Sequence, residues 1–448
     1  MPLSPSRHNA ICRVPGTGTS IIVNPLAGSA DLLSDEEAAA VRAGRDPVPN
    51  LLEGRGYLVE PSEETRRYRE AFAEFLDQRE TDEVQLFFAP GYECNFGCDY
   101  CYQSEYDSRP GKNPHEVVEA FFQYVDRQFA GRSCYVTLFG GEPLLPGARR
   151  RTLLERFVRL LAERKLDLAV VTNGYHLADY LDLLSECRVR EIQVTLDGVG
   201  AIHDSRRPLR GGGASFERIV SGIDLALERD FAINLRMVVD RDNLPHLPEL
   251  ARFARDRGWT RHPRFKTQLG RNYELHECSA RRDRLYDRLT LYQDYVALAE
   301  THPELLELHR PALSVSRALA DHGELPPPLF DSCPGTKTEW AFDASGRIYA
   351  CTATVGKSGE ELGTFHPGVK LDAAAIEEWS DRDVLSIEAC RNCSAQLLCG
   401  GGCAAVAKHR HGTLQAPDCR PVIELVGLGA RLYLGDQLDD HVQHDSDH

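Results

Sequence analysis

The chain has 448 residues, of which 42% are hydrophobic and 27% charged, a composition typical of folded globular proteins and not of disordered ones. This length predicts several domains. The formal net charge of −16 argues against a nucleic-acid partner, because phosphate backbones attract basic surfaces. The sequence contains neither an apolar run of about 18 residues nor a secretory signal at its start, so we expect a cytoplasmic protein without membrane contact.

The first 83 residues predict a small α+β domain. The stretch TSIIVNPL (19–26) is typical of a strand, and SDEEAAAVRAG (34–44) is typical of a helix with Ser34 as its N-cap. A charged helix is expected across about residues 62–80.

From residue 84 to 275, short apolar runs alternate with amphipathic helices. The runs occupy residues 84–90, 134–140, 168–174, 191–198, 233–240 and 264–270. This alternation predicts parallel strands covered by helices, most simply a partial (β/α)6 TIM-like barrel, although a doubly wound sheet would give a similar pattern. A helical bridge (276–330), a cysteine-rich domain (331–425) and an acidic tail (426–448) are expected to follow. The last residues of the tail, GDQLDDHVQHDSDH (435–448), are expected to be a disordered, solvated end.

Chemically distinctive residues follow four of the predicted strands. A cysteine loop follows the first, and GGEP (140–143), TNG (172–174) and LDG (196–198) end the next three. Parallel sheets and barrels place their sites at the carboxyl ends of strands. We therefore expect these segments to meet at one site.

The cysteine content points to metal binding. Fourteen cysteines in a reducing compartment usually bind metal or carry out chemistry and do not form disulfides. Cys94, Cys98 and Cys101 have the spacing C-x3-C-x2-C, and three thiolates suit zinc or an iron–sulfur cluster. Since the trio cannot fill a four-coordinate site, one position is expected to accept a further ligand.

The stretch CNFGCDYCY (94–102) resembles the signature of the radical S-adenosylmethionine (SAM) enzymes, and FGGEPLL, VVTNG, VTLDG and LRMVVD resemble later segments of that family in the same order. The resemblance implies a [4Fe–4S] cluster that chelates SAM at its open iron. One electron then cleaves SAM to a 5′-deoxyadenosyl radical, which abstracts hydrogen from the substrate. It also implies a set of SAM-binding residues: Tyr100, Gly140, Gly141, Glu142, Thr172, Asn173, Asp197 and Arg236. Turn formation (Thr172, Asn173, Asp197) and an ordinary salt bridge (Arg236) are the alternative roles.

A second group of cysteines resembles the seven-cysteine SPASM domain of peptide-modifying radical SAM enzymes. The resemblance implies two auxiliary [4Fe–4S] clusters, one held by Cys390, Cys393, Cys399 and Cys419 and the other by Cys333, Cys351 and Cys403. The upstream cysteine that many relatives use as a fourth ligand is absent here. Asp331 and Cys278 are candidates for that position, and an open iron is the favoured alternative.

The resemblance implies a maturase of ribosomally made peptides. Residues 1–83 are then expected to bind a leader segment by adding its strand to a small sheet, and flavodoxin or ferredoxin is expected to supply electrons. An anaerobic sulfatase-maturing enzyme is disfavoured, because Thr352 stands where that family has an aspartate base. A small-molecule dehydrogenase remains an alternative. Tyr102, His203, Arg206 and Arg207 are candidate catalytic residues, but the pattern assigns none of them a role and leaves the substrate and the bond formed open.

The same cysteines allow a non-enzymatic alternative, a scaffold that holds several zinc ions. Protein purified without oxygen is expected to be brown and to contain iron and sulfide, because iron–sulfur clusters absorb visible light and zinc sites do not. Metal and sulfide analysis checks this. A colourless protein that contains zinc would contradict the iron–sulfur interpretation.

Overall fold

The structure is a computed structural model that describes residues 3–45, 51–103, 106, 113–271 and 282–445. The candidate ligand Cys278 lies outside these ranges. Among the described residues, no helix is both long enough and apolar enough to cross a bilayer.

The N-terminal part contains two small antiparallel sheets. Its strands are β1 (Ser4–Pro5), β2 (Ala10–Arg13), β3 (Thr19–Asn24), β4 (Ser29–Ser34) and β5 (Leu58–Val59). Its helices are α1 (Asp35–Arg42), α2 (Leu51–Gly54) and α3 (Pro61–Thr81). β2, β3 and β4 form one sheet and β1 pairs with β5. Ser34 caps α1 as predicted, because its side chain accepts from the Glu37 N–H while Glu37 accepts from the Ser34 N–H.

The middle of the chain alternates strands with helices. Its strands are β6 (Val84–Ala89), β7 (Cys134–Leu138), β8 (Asp167–Thr172), β9 (Val189–Thr195), β10 (Ile233–Val239) and β11 (Phe265–Arg271). The α-helices between them are α4 (Pro114–Gln128), α5 (Ala148–Arg164), α6 (Leu177–Leu184), α7 (Ala201–Arg206), α8 (Phe216–Glu228) and α9 (Leu247–Asp256). All six predicted strands are present within three residues of their expected positions.

The strands β6 to β11 lie side by side in chain order, and every neighbouring pair is parallel. This order confirms the predicted partial barrel, because each helix must cross the same face of the sheet to reach the next strand. The core between sheet and helices is apolar and largely aromatic. Phe88, Phe121 and Phe157, for example, are fully buried against one another.

Helices and short strands make up the C-terminal part. The α-helices are α10 (Arg288–Thr301), α11 (Glu304–Leu308), α12 (Ser316–His322), α13 (Ala373–Ser380), α14 (Gln396–Cys399), α15 (Ala404–His411) and α16 (Val422–Asp445). The strands are β12 (Glu339–Asp343), β13 (Arg347–Tyr349), β14 (Glu361–Thr364) and β15 (Lys370–Leu371). β12 pairs in parallel with β6, and β13 to β15 extend the sheet in antiparallel order. The cysteine-rich region is therefore joined to the barrel by a continuous hydrogen-bonded sheet.

The tail expected from residue 426 is not a separate segment, and the disordered end expected from residue 435 is helical as far as Asp445. Residues 422 to 445 form one helix, and its apolar residues Val426, Ala430 and Leu434 are buried against β2 and β3. Their spacing of four residues places them on one face. The sequence did not predict this apolar face, because the many acidic residues near the end of the chain suggested a solvated segment.

The contact between α16 and the N-terminal sheet gives a stability prediction. Replacing the fully buried Val426 by alanine is expected to cost about 2 kcal/mol, because two buried methyl groups are lost and a cavity remains. The exposed Glu424 on the same helix provides a control, and Glu424→Ala is expected to change stability by less than about 0.5 kcal/mol. Thermal unfolding measures both. Equal midpoints for the two variants would contradict the packing of α16.

Candidate active site

A cavity of about 580 Å³ lies at the carboxyl ends of the barrel strands. We call it the barrel cavity. Its walls include the predicted trio Cys94, Cys98 and Cys101 and six further predicted residues, Tyr100, Gly140, Gly141, Thr172, Asn173 and Arg236. The structure therefore brings together nine of the residues that sequence analysis assigned to this site. Glu142 and Asp197 lie behind its walls.

The three cysteines of the loop are close to one another and partly buried. Burial raises the pKa of the Cys94 thiol to about 11. The negative charges of Glu142, Cys98 and Cys101 raise this pKa further, whereas the hydrogen bond from the Phe96 N–H lowers it. Asn173 Nδ2 lies 3.8 Å from Cys94 Sγ. A bound metal would offset the cost of forming these thiolates, since metal coordination favours deprotonated sulfur.

A second segment holds the cysteine loop from the other side. Within residues 206–210, which we call the clamp segment, Pro208 O accepts from Gly97 N at 2.8 Å and Arg210 N donates to Asn95 O at 2.9 Å. Phe96 and Leu209 form an isolated antiparallel bridge. Sequence analysis named Arg206 and Arg207 of this segment as candidate catalytic residues and did not predict its pairing with the cysteine loop. Its role depends on a pairing across more than 100 residues, which leaves no local signal.

The glycine pair at the end of β7 is required by close packing. A Cβ atom on Gly140 would lie 2.5 Å from Gly91 O, and one on Gly141 would lie 2.2 Å from Glu93 O. Gly140 also has a φ of +125°, which favours glycine. The two residues therefore let the strand end approach the backbone of the cysteine loop, and they face the barrel cavity at the same time.

Glu142 is buried, and both oxygens of its carboxylate accept hydrogen bonds from other residues of the protein. Its carboxylate accepts from Leu144 N at 2.8 Å, Thr172 Oγ1 at 2.7 Å and Asn173 N at 2.6 Å. Burial raises its pKa, while these hydrogen bonds oppose the shift. In this structure Glu142 therefore fixes the turn at residues 172–173 and does not face the cavity.

Tyr100 and Asp197 belong to a buried polar network beside the cysteine loop. The Tyr100 hydroxyl donates to Asp197 Oδ2 and accepts from Arg207 Nη1. Asp197 Oδ1 accepts from Val238 N at 2.9 Å. Arg207 also lies near Cys98 and opposes the burial that raises the pKa of this thiol. The network places a buried cation next to the cysteine loop.

Two of the candidate catalytic residues are buried away from the barrel cavity. Arg206 is buried and donates to Asp240 Oδ1 at 2.8 Å. His203 is fully buried, and burial together with Arg207 lowers its pKa to about 3, so it is neutral near pH 7. Neither lines the barrel cavity. Tyr102 does, and its hydroxyl lies 3.4 Å from Thr352 O.

The second cysteine group adjoins the wall of the barrel cavity. Thr352 and Ala353, which follow Cys351, line the cavity directly. Cys333, Cys351 and Cys403 pack in one small buried cluster of side chains. Burial raises the pKa of the Cys351 thiol, and the nearby Glu339, Cys333 and Cys403 raise it further. The three predicted ligands of one auxiliary cluster are thus neighbours.

Asp331 is not available as a further ligand in this structure. Its Oδ2 forms a buried 2.5 Å ion pair with Lys337 Nζ, and its Oδ1 accepts from Cys333 N at 2.9 Å. A carboxylate that sequence analysis overlooked lies closer to the cavity wall. Glu339 Oε1 accepts from Thr352 N at 3.1 Å, and burial raises the pKa of this carboxyl to about 7.

The remaining four predicted cluster ligands also lie together. Burial raises the pKa of Cys390 to about 11, and the neighbouring Cys399, Cys393 and Cys419 contribute to the shift. Within the described ranges, no three Cys, His, Asp or Glu side chains converge as they would around a single metal ion. The assignment of both auxiliary sets as cluster ligands remains a proposal.

The barrel, the three clustered thiols and the glycine pair define a cofactor-dependent enzyme domain. Residues 89–254 match the family model of the Radical SAM superfamily. This part of the chain is a radical SAM domain.

Curated relatives match only part of the chain. GTP 3′,8-cyclase from Nautilia profundicola is 29% identical over 176 residues, which is 37% of this chain and 51% of that protein. The same enzyme from Agrobacterium fabrum is 32% identical over 174 residues, 37% of this chain and 46% of that protein. The chain thus matches about half the length of these relatives.

Two solved structures share the fold over most of the chain. Native anSMEcpe with bound AdoMet (S-adenosylmethionine) has a TM-score of 0.59 at 19% identity, and the match covers 81% of this chain and 100% of that one. Streptococcus suis SuiB bound to S-adenosylmethionine has a TM-score of 0.53 at 15% identity, covering 94% and 100%. At these identities the likeness shows the fold.

The Tyr100 network gives a prediction. Tyr100→Phe removes the hydroxyl between Asp197 and Arg207, so each of these buried charged groups loses one hydrogen bond, and we expect a loss of about 3 kcal/mol. Thermal unfolding measures the loss. Tyr175→Phe, which alters another tyrosine next to the cysteine loop, should change the midpoint much less. Equal midpoints would show that the network does not support the loop.

Proposed function

We propose that the protein is a radical SAM enzyme that abstracts hydrogen from a residue of a ribosomally made peptide and thereby modifies that peptide. The observation that carries this proposal is the position of the second cysteine group. The cysteine loop and Thr352, which follows Cys351, both line the barrel cavity, and the Tyr102 hydroxyl lies 3.4 Å from Thr352 O. A substrate in this cavity would be close to two metal sites.

The residues of the barrel cavity fit a cluster and SAM. Three thiols face it from one loop, and the buried Nε of Arg236 has no hydrogen-bond partner among the described residues. A guanidinium in this position suits the SAM carboxylate. When bound, the reduced cluster supplies the electron that cleaves SAM to a 5′-deoxyadenosyl radical. The protein's part is to fix the cysteine loop, through Gly140, Gly141 and the clamp segment, and to enclose the site.

We further propose that the cysteine-rich region is a SPASM domain with two auxiliary [4Fe–4S] clusters. The neighbouring thiols of each predicted set support this, as does the buried position of Cys333 and Cys351. Soft thiolate ligands suit iron–sulfur clusters. A low-potential donor such as flavodoxin or ferredoxin would supply the electrons.

The N-terminal sheet supports a peptide partner. One face of β2, β3 and β4 packs on α16 and the other on α1 and α2. Within the described residues, β4 pairs with β3 alone, so its outer edge offers backbone groups to an added strand. A leader segment could bind in this way. Streptococcus suis SuiB, which shares the fold, has been solved with its precursor peptide SuiA.

One observation favours a second candidate, the oxidation of a cysteine or serine side chain to formylglycine. Sequence analysis disfavoured it because Thr352 replaces the expected aspartate. Glu339, however, places a buried carboxyl beside the Thr352 N–H, and its pKa of about 7 suits a general base near neutral pH. The mass of the product peptide separates oxidation from crosslinking.

Matched cysteine variants test the SAM chemistry. With SAM and dithionite, the reconstituted enzyme is expected to form 5′-deoxyadenosine, and Cys98→Ala to lose this activity and about four iron atoms per chain. Cys187→Ala should retain both, because Cys187 lies three residues beyond the end of α6 and does not line the barrel cavity. Retained 5′-deoxyadenosine formation in Cys98→Ala would refute the proposal.

The peptide substrate needs its own test. A deuterated peptide encoded beside the gene for this chain is expected to transfer deuterium to 5′-deoxyadenosine and to change in mass. Mass spectrometry of both products measures this. Formation of 5′-deoxyadenosine without either change, with every such peptide, would retain the radical SAM assignment and remove the peptide substrate.

A further inference from the structure

A partly buried carboxylate lies beside the cysteines of one proposed auxiliary cluster. Cys333, Cys351 and Cys403, which we call the three-thiol set, pack in one cluster of side chains. They provide one ligand fewer than the four irons of a [4Fe–4S] cluster can take. Asp331, a candidate for the remaining position, is engaged in a buried ion pair. The structure places the carboxylate of Glu339 next to the set instead.

The backbone turn after Cys333 brings Glu339 back toward that cysteine. Glu339 N donates to Pro334 O at 2.9 Å, and Glu339 O accepts from Thr336 N at 2.9 Å. Gly335, within the turn, pairs with Glu339 in an isolated bridge, and its N–H donates to the Cys333 thiol. The first residue of β12 is therefore hydrogen-bonded to the residue that follows Cys333.

The hairpin formed by β12 and β13 also brings Glu339 near Cys351. Ala341 on β12 pairs with Tyr349 on β13. Two residues further from the turn of this hairpin stand Glu339 on one side and Cys351 on the other. Glu339 Oε1 accepts from Thr352 N at 3.1 Å. Of the negative groups that raise the pKa of the Cys351 thiol, Glu339 has the largest effect, ahead of the two other thiols of the set. The carboxylate is therefore a close neighbour of this thiol.

The negative charge of Glu339 has little compensation from the protein. Asp331 pairs with Lys337, whereas no lysine or arginine in the described parts of the chain forms an ion pair with Glu339. The Thr352 N–H is the one donor to its carboxylate among the described residues, and burial raises the pKa of this carboxyl to about 7. A bound metal would supply the missing positive charge. Carboxylate oxygen is an established ligand of iron in proteins.

Glu339 does not face the barrel cavity. Thr352 and Ala353 line this cavity, but Glu339 does not. The general-base role considered above requires a carboxylate within hydrogen-bonding reach of the substrate. The position of Glu339 behind the wall, beside the Cys351 thiol, favours a role toward the three-thiol set over contact with a substrate.

We propose that Glu339 is the fourth protein ligand of the auxiliary [4Fe–4S] cluster held by the three-thiol set. This inference rests on the proposed SPASM domain and adds a ligand that sequence analysis did not consider. It replaces the open iron favoured by the sequence with a closed site. A cluster closed in this way can exchange electrons but offers the substrate no iron to bind, so the substrate would have to be held by other groups in the barrel cavity.

Ligand exchange at the auxiliary clusters tests this assignment. The full chain with Cys98→Ala is reconstituted anaerobically, so that the open iron of the cysteine loop is removed and about eight iron atoms per chain remain. Cyanide is the probe, because it binds an iron that has no protein ligand and must displace a ligand that is present. Electron paramagnetic resonance of the dithionite-reduced protein measures cyanide binding.

Three further substitutions in this background give the expected pattern. Glu339→Gln should bind cyanide at least tenfold more tightly, because a neutral amide is a poor ligand for iron. Glu339→Cys should bind it as weakly as the Cys98→Ala protein, since a thiolate can replace the carboxylate. The exposed glutamate of α13 in Glu378→Gln serves as a matched control and should leave the affinity unchanged.

Iron content separates a ligand from a residue that only supports the fold. Glu339→Gln should either keep about eight iron atoms or lose the four of this cluster, and in both cases Glu339→Cys should keep all eight. A supporting carboxylate could not be replaced by a thiolate in this way. Equal cyanide affinity with and without Glu339→Gln would overturn the inference. So would a loss of iron that Glu339→Cys does not restore.

The outcomes also separate this inference from the proposed function. About eight iron atoms with equal cyanide affinity would retain the SPASM domain, refute Glu339 as a ligand and leave it available as a general base. About four iron atoms or fewer in the Cys98→Ala protein would refute the pair of auxiliary clusters and this inference with it. Formation of 5′-deoxyadenosine by the unaltered chain would in that case still support the radical SAM chemistry.

Discussion

The active-site architecture depends on the close contact between two backbone segments, residues 91–93 and the glycine pair at 140–141. Any side chain on either glycine would collide with carbonyl oxygens of the first segment. The hydrogen bonds Gly141 N to Gly91 O and Glu142 N to Glu93 O then join the cysteine loop to the end of β7. Glu142 carries the connection to residues 172–173. One steric constraint thus ties three strand ends together.

Buried charged residues contact the other side of the cysteine loop. Asp197, Arg207 and the Tyr100 hydroxyl form a network that is almost fully excluded from water. Buried charges are costly unless they are paired and hydrogen-bonded. Here the pairing fixes the orientation of Tyr100, which lies between Cys98 and Cys101. Loss of one member of the network therefore leaves the others in an unfavourable buried position.

Strand pairing across distant segments brings the proposed metal sites together. β12 pairs in parallel with β6, so the cysteine-rich region begins next to the strand that leads into the cysteine loop. Cys351 consequently lies near the wall of the barrel cavity, about 250 residues beyond Cys101 in the chain. α16 returns to cover the N-terminal sheet. Both ends of the chain thereby become part of one arrangement around the barrel.

The sequence by itself determined the positions of the barrel strands along the chain, the grouping of the cysteines and the segments that meet at the site, whereas the order of the strands in the sheet came from the tertiary structure. The features that the sequence determined follow from local periodicity and from short spacings between residues, both of which can be observed in the sequence. The roles of Glu142 and Asp197, the clamp segment at 206–210, the helix at 422–445 and the carboxyl of Glu339 emerged only from the tertiary structure. Burial, partners and charge at these positions depend on residues far away in sequence. Local patterns carry no record of such neighbours, because only folding brings them into contact.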